Sequence, residues 1–220
     1  MLTASVSKQE KGFDIPPYIN FKRMSTKQIY ANHFGSEISE KQVNKLGDYL
    51  LKHYDDEILT KTEKYSKGVL VVTSYNLISN DNIQSILDLD PDASFQIESQ
   101  QGDYKLFECL LYKDKIIVDK QIYVEIIPIN KTICRHYFNL PSNTIEHTNT
   151  IKIYYDVNGE QLYEFEYKAD GTCLYINNLQ EYQSDFYAQD IGVDPDLEFT
   201  WQGFEYYQFS EPLIPTGPII

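Results

Sequence analysis

Cys134 and His136 stand two residues apart, so on a strand they project from one face. A thiol beside an imidazole is the pairing of a cysteine nucleophile, and with Cys109 and Cys173 it would also supply ligand types of a zinc site. The spacing argues against both, because no Cys-x-x-Cys or His-x-x-x-His occurs. Isolated cysteines in apolar strands ordinarily serve as small buried residues. His33, His53 and His147 sit in polar contexts and read as surface or cap residues. Glu164 and Glu166 also share a strand face, with Cα atoms about 6.5–7 Å apart. That separation suits a glycosidase-like carboxylate pair, but a solvated strand face explains it equally. Asp88-Leu-Asp90-Pro-Asp92 opens like a calcium loop and then departs from it, with Ala93 at the sixth position and Ser99 at the twelfth. An exposed Asp-Pro turn is the simpler reading. The chain has no Gly-x-Ser-x-Gly, P-loop, dinucleotide fingerprint or His-Glu-x-x-His. The expectation is therefore no catalytic residue, no metal ligand and no cofactor, with the weight on surface recognition.

The charge has an address. Of 220 residues, 33 are Asp or Glu and 19 are Lys or Arg, for a net charge of −14. Residues 1–153 are close to neutral at −2, whereas 154–220 hold Lys168 against 13 acids, a net of −12. The acidic stretch also carries nine Tyr, five Phe and Trp201. Acids interleaved with aromatics could steer a basic partner and then anchor it, since Tyr and Trp are enriched at binding hot spots. The plainer alternative is a solvated acidic face over an aromatic core. The candidate partner contacts are Glu160, Glu164, Glu166, Asp170, Asp185, Asp190, Asp194, Asp196, Trp201 and Tyr207. Trp201 reads as core anchor ahead of hot spot, because Trp is highly buried on average. An acidic chain lacks the basic footprint of a phosphate binder, so direct nucleic-acid binding is not expected.

The elements that must position these residues are mostly strands. A capping box of Ser39 and Gln42 with Val43, Leu46 and Leu50 at helical spacing predicts a helix over 39–53, weakened by Gly47. A shorter helical turn is expected over 25–30, and a weakly patterned helix over 179–188. Strands are predicted at 68–75, 104–112 and 116–129, the last two joined by a hairpin at Lys113-Asp114-Lys115. Residues 151–156, 161–168 and 173–177 form a three-stranded meander, with a type I′ turn expected at Asn158-Gly159. Alternation in the middle strand sends Tyr163, Phe165 and Tyr167 to one face and Leu162, Glu164 and Glu166 to the other. The proline-bearing tail after Glu211 is extended.

A collinear self-similarity runs through the chain. Glu57, Leu59, Glu63 and Gly68 return as Glu160, Leu162, Glu166 and Gly171, and Asp90-Pro91-Asp92 with Phe95 returns as Asp194-Pro195-Asp196 with Phe199. The fold class is α+β, mainly antiparallel sheet with a few short helices, in one arrangement as two similar units of about 100 residues in tandem. The division is an α+β unit over 1–110 and a β-rich acidic unit over 111–220, or one continuous domain. The 14% aromatic share excludes a disordered chain. No apolar run reaches membrane-spanning length, Met1–Gly12 lacks the apolar core of a secretory signal, and three scattered cysteines make no disulfide framework. A cytoplasmic location is expected. The leading functional reading is an acidic protein-binding module of the inhibitor or immunity type, occluding a basic partner such as a bacterial toxin enzyme. A nucleic-acid mimic is a variant of it. The alternatives are a hydrolase using carboxylates or Cys134/His136, and a lectin-like module with aromatics in a shallow groove.

Overall fold

Alternating apolar and polar residues, broken at intervals of about ten by turn formers, build one thirteen-stranded sheet in a computed structural model that describes residues 26–140, 142–180, 183–217 and 219. Met1–Gly12, Ser25 and Pro218, which entered the sequence expectations, lie outside the described residues. The strands are β1 (Thr26–Ala31), β2 (Tyr49–Asp55), β3 (Ile58–Ser66), β4 (Val69–Leu77), β5 (Ser94–Gln101), β6 (Tyr104–Lys113) and β7 (Ile116–Ile126). They continue with β8 (Lys131–Asn139), β9 (Thr144–Ile145), β10 (Ile151–Tyr155), β11 (Gln161–Tyr167), β12 (Cys173–Asn178) and β13 (Phe186–Tyr187). Their spatial order follows the chain, with β9 set aside on the end of β8. Every pairing is antiparallel except β4–β5, where a crossover through the short helix α2 (Ile83–Leu87) leaves the two strands parallel. The 110/111 division falls inside β6, and the sheet runs on through it. No helix among the described residues is long and apolar enough to cross a membrane.

Three local expectations are corrected. The helix predicted over 39–53 is only α1 (Glu40–Leu46): Gly47 adopts φ +69 and ends it, and Tyr49–Asp55 turns to strand. Leu50 then packs as a strand residue rather than on a helical stripe. The turn expected over 25–30 is β1, whose register runs from Thr26 opposite Asp55 to Ala31 opposite Leu50. Among the described residues of 179–188 there is no α-helix; Phe186 and Tyr187 instead add an edge strand, and Ala188 only opens a short 3-10 turn.

The hairpin at Asp114-Lys115 forms as expected, with both central residues at positive φ. Asn158-Gly159 does not make the two-residue turn. Only Gly159 has positive φ, and Gly159 N–H donates to Asp156 O in a longer loop that closes at Glu160. The two-residue form appears at Asp56-Glu57, with φ of +47 and +70, between paired Asp55 and Ile58. Glu57 is exposed, and a side chain at left-handed φ costs about 1 kcal/mol. Glu57→Gly is therefore expected to raise stability by about 0.5–1 kcal/mol in urea denaturation, with unchanged or lower stability as the contrary result.

Cross-strand register divides the sheet into two unlike faces. One transverse row reads Leu106, Val124, Cys134, Lys152, Phe165, Ile176 and Phe186 across β6, β7, β8, β10, β11, β12 and β13. This face is covered. Helix α2 packs Leu87 with Ala93, Phe95 and Leu110, and the C-terminal segment lays Tyr206, Tyr207, Leu213, Ile214 and Ile219 over β8–β12. The neighbouring row reads Phe107, Tyr123, Arg135, Ile151, Glu166, Tyr175 and Tyr187 and points the other way. Nothing among the described elements covers the Glu166–Tyr187 end of it, where Glu166 and Tyr187 are exposed.

Candidate functional site

The covered row contains one residue that does not belong to an apolar list. Lys152 is fully buried, and its Nζ donates to the carbonyl oxygens of Tyr206 and Phe209, each at 2.8 Å, while lying 3.6 Å from the centre of the Tyr206 ring. Burial lowers its pKa to about 8. Beside it, fully buried His136 reaches Ser210 O through Nε2 at 2.8 Å, and His147 Nδ1 meets Ser210 Oγ at 2.7 Å. Tyr167 donates to Tyr207 O, Tyr206 to Leu213 O, and Ser210 N–H to Gly171 O. These groups take up carbonyls of 206, 207, 209, 210 and 213, a segment with no ladder of its own. Gly171 fits this clamp closely: a Cβ there would lie 3.0 Å from Ser210 Oγ.

The same burial bears on the Cys134/His136 pair. Both side chains are fully buried. Burial pushes the Cys134 thiol up to about 11 and His136 down to about 4, opposite to the shifts of a thiolate–imidazolium pair. Cys109 and Cys173 are likewise held protonated by burial, at about 11 and about 12, and all three cysteines are free. No group of three or more His, Cys, Asp or Glu among the described residues could hold a metal ion. In the Asp88–Asp92 turn each carboxylate has a structural partner: Asp88 pairs with Lys115, Asp90 accepts from Tyr75 and Asp92 caps the Asp114 N–H.

The predicted partner contacts separate into three groups. Glu164 and Glu166 lie on the open sheet face, Glu166 accepting from Asn177, with Tyr175 and Tyr187 packed edge to face at 5.0 Å beside them. Asp185 joins this group at the sheet edge, accepting from the Tyr175 hydroxyl. Glu160 and Asp170 sit at opposite ends of β11, and the Thr172 hydroxyl holds the Asp170 carboxyl below its ordinary pKa. Asp190, Asp194 and Asp196 lie on the segment that covers the other face, the latter two exposed. Trp201 is half-buried and packs against Phe165 and Phe199 at the edge of the aromatic cluster. Tyr207 is a correction. It is 0% exposed, stacked on Phe165 at 4.5 Å, and cannot touch a partner while the segment is seated.

Charge compensation is equally uneven. The ion pairs among the described residues all lie between His53 and Lys120. None of the described acids beyond Tyr154 is in an ion pair with another described residue.

Sequence reasoning missed Lys152. The signal was a lone lysine in the inward phase of Ile151-Lys-Ile-Tyr-Tyr155, alternating with Tyr154. It also missed a cleft of about 700 Å³ between the sheet edge and the covering segment, with Tyr163, Phe186, Phe199, Asp196 and Glu198 in its lining. Those residues are far apart in sequence, and only the pairing of β12 with β13 brings them together. No family model matches this chain, and neither the curated proteins nor the solved structures return a match to it.

Proposed function

We propose that this chain is an acidic protein-binding module, of the inhibitor or immunity type, that acts in the cytoplasm by occluding a basic partner such as a bacterial toxin enzyme. The observation that carries this reading is the set of described acids beyond Tyr154, none of them in an ion pair with another described residue, set among exposed Tyr187 and half-buried Tyr175. An uncompensated single-sign surface works against the compact state by self-repulsion, and complementarity to an opposite charge offsets that cost. Open aromatics beside the carboxylates supply apolar area that a purely solvating face would not need. The tandem arrangement proposed from the sequence has support in the equivalent meanders β2–β3–β4 and β10–β11–β12, in which Glu57–Gly68 and Glu160–Gly171 occupy matching hairpins. Beyond them the halves diverge, since Phe95 lies in β5 whereas Phe199 lies in no strand. Hydrolysis through Cys134/His136 is disfavoured by the burial and the pKa directions above.

The test is affinity capture from the native host at low and high salt, followed by assay of the captured protein's own activity. A basic protein is expected to be retained at low salt and inhibited by this chain. Retention should fall at least tenfold when Glu164, Glu166 and Asp185 become Gln, Gln and Asn, because rim and core charge pairs both weaken on neutralisation. Capture indifferent to salt and to those substitutions would refute the reading.

A further inference from the structure

We propose that the open sheet face around Ile151 is the contact surface of a two-fold dimer of this chain. The row of side chains on that face is self-complementary about its centre. Ile151 on β10 pairs with Arg135 of β8 on one side and with Glu166 of β11 on the other. One strand further out stand Tyr123 on β7 and Tyr175 on β12. Each of these tyrosines packs outward on a further ring, Tyr123 on Phe107 with centres 4.7 Å apart and Tyr175 on Tyr187 at 5.0 Å. From either end the order is ring, ring, charge, isoleucine, charge, ring, ring, and the two charges have opposite sign. Arg135 and Glu166 are exposed, and neither is in an ion pair among the described residues.

A two-fold axis lying between two such faces and running along β10 sets β8 of each copy against β11 of the other. Arg135 then meets Glu166 of the second copy, and Glu166 meets its Arg135. Ile151 meets Ile151, and Tyr123 meets Tyr175. The same operation keeps the β11 acids Glu164 and Glu166 away from their own counterparts. Facing sheets interdigitate their side chains at a spacing of about 10 Å. Asn177 occupies Glu166 Oε1, which leaves Oε2 to accept from the guanidinium.

The charge order selects a second copy as the occupant of the whole row. Arg135 and Glu166 lie two strand spacings apart, about 9.5 Å. A uniformly basic surface would meet Arg135 with like charge, and an acidic surface or a nucleic-acid backbone would meet Glu166 with like charge. The occupant must present an acid and a base at that separation in reverse order, and the two-fold supplies both from residues already present. A basic protein that engages only the Glu166–Asp185 end competes with this pairing, and the dimer does not depend on that protein.

The test is sedimentation equilibrium of the whole chain at physiological salt. Five strands span about 24 Å, a patch near the low end of specific interfaces, so a dissociation constant of about 10–100 µM is expected. Arg135→Glu and Glu166→Arg each set like charges opposite one another twice per dimer, and each should weaken association at least tenfold. The chain carrying both reversals should return to within about threefold of wild type, and an equimolar mixture of the two single variants should form a heterodimer. Both positions are on the surface, and circular dichroism checks folding. Arg135→Gln and Glu166→Gln repeat the test without a reversed charge, each weakening association severalfold. A chain that stays monomeric, a dimer indifferent to these substitutions, or a double reversal as weak as the single ones overturns the dimer. None of these outcomes decides the basic-partner reading, which stands or falls on capture.

Discussion

Replacing Lys152 by alanine is expected to cost about 3 kcal/mol of stability and to release the 206–213 segment from the sheet. Three magnitudes set that figure. The two carbonyls that Lys152 serves, on Tyr206 and Phe209, would lose their donor in a buried site, at about 1–3 kcal/mol each. Losing the side-chain stem opens a cavity beneath Tyr206, worth about 2–5 kcal/mol by analogy with buried Met→Ala changes. Against these stands relief of the burial that lowers the Lys152 pKa from 10.5 to about 8, worth about 3 kcal/mol at neutral pH. Lys152→Met keeps the volume and gains the same relief, so its loss should be nearer 1 kcal/mol. A folded pKa below the unfolded one means that the unfolded chain binds more protons between pH 8 and 10.5. Wild-type stability from this group therefore rises across that window, and the methionine variant should lack the rise. Urea denaturation gives the energies. Hydrogen exchange at Ser210 and Cys173, whose amides bond Gly171 O and Gln208 O, reports release of the segment. An alanine variant as stable as wild type, or exchange unchanged at those amides, would show that the clamp does not hold the segment.

The same lysine shows how far the sequence can be read. Period-two alternation identified the β6–β7 hairpin and the β10–β12 meander, because each buries alternate residues against a covering layer and register follows burial. It also put Phe165 and Tyr167 on one face and Glu166 on the other, and the first of these faces is the buried one. The helix over 39–53 was over-extended because Leu50 satisfies a helical spacing by coincidence, while a glycine at φ +69 ends the helix three residues earlier. Asn158-Gly159 is a strong turn signal on composition, yet loop length is decided by where β11 pairs, and Tyr155 opposes Gln161 rather than a nearer residue.

The candidate site was legible as chemistry and not as geometry. Charge asymmetry placed the acids in the last third correctly, since ionic composition needs no fold to be counted. What composition cannot carry is the face each acid takes. Asp194 and Asp196 belong to a segment with no strand of its own, so no periodicity assigned them to the covering layer. Tyr207 was chosen by type, and its ring is turned in onto the sheet because Lys152, His136 and Tyr167 hold the carbonyls of its own segment from below.

Acidification between pH 6.5 and 4 is expected to remove up to about 3 kcal/mol of stability through His136 alone. The hydrogen bond fixes the reason. Ser210 O can only accept, so Nε2 carries the proton of the neutral ring and Nδ1 faces a buried site without a partner. A second proton would have to sit on Nδ1, desolvated and near Lys152 and His147, and burial with those two charges holds the folded pKa at about 4. The unfolded chain protonates this imidazole near 6.5. Stability is thus fully present above pH 6.5 and is lost as pH falls toward 4. Carboxylates held low in the folded chain titrate in a different window. Asp48, held low by the Lys67 amide, and Asp170, held low by the Thr172 hydroxyl, contribute losses only as pH falls below their ordinary value of 3.8. His136→Gln separates them, because Gln places an amide donor near Ser210 O and does not titrate. Its unfolding free energy should be flat from pH 6.5 to 4.5 while wild type declines. Parallel declines in the two proteins would remove His136 as the acid-sensitive group.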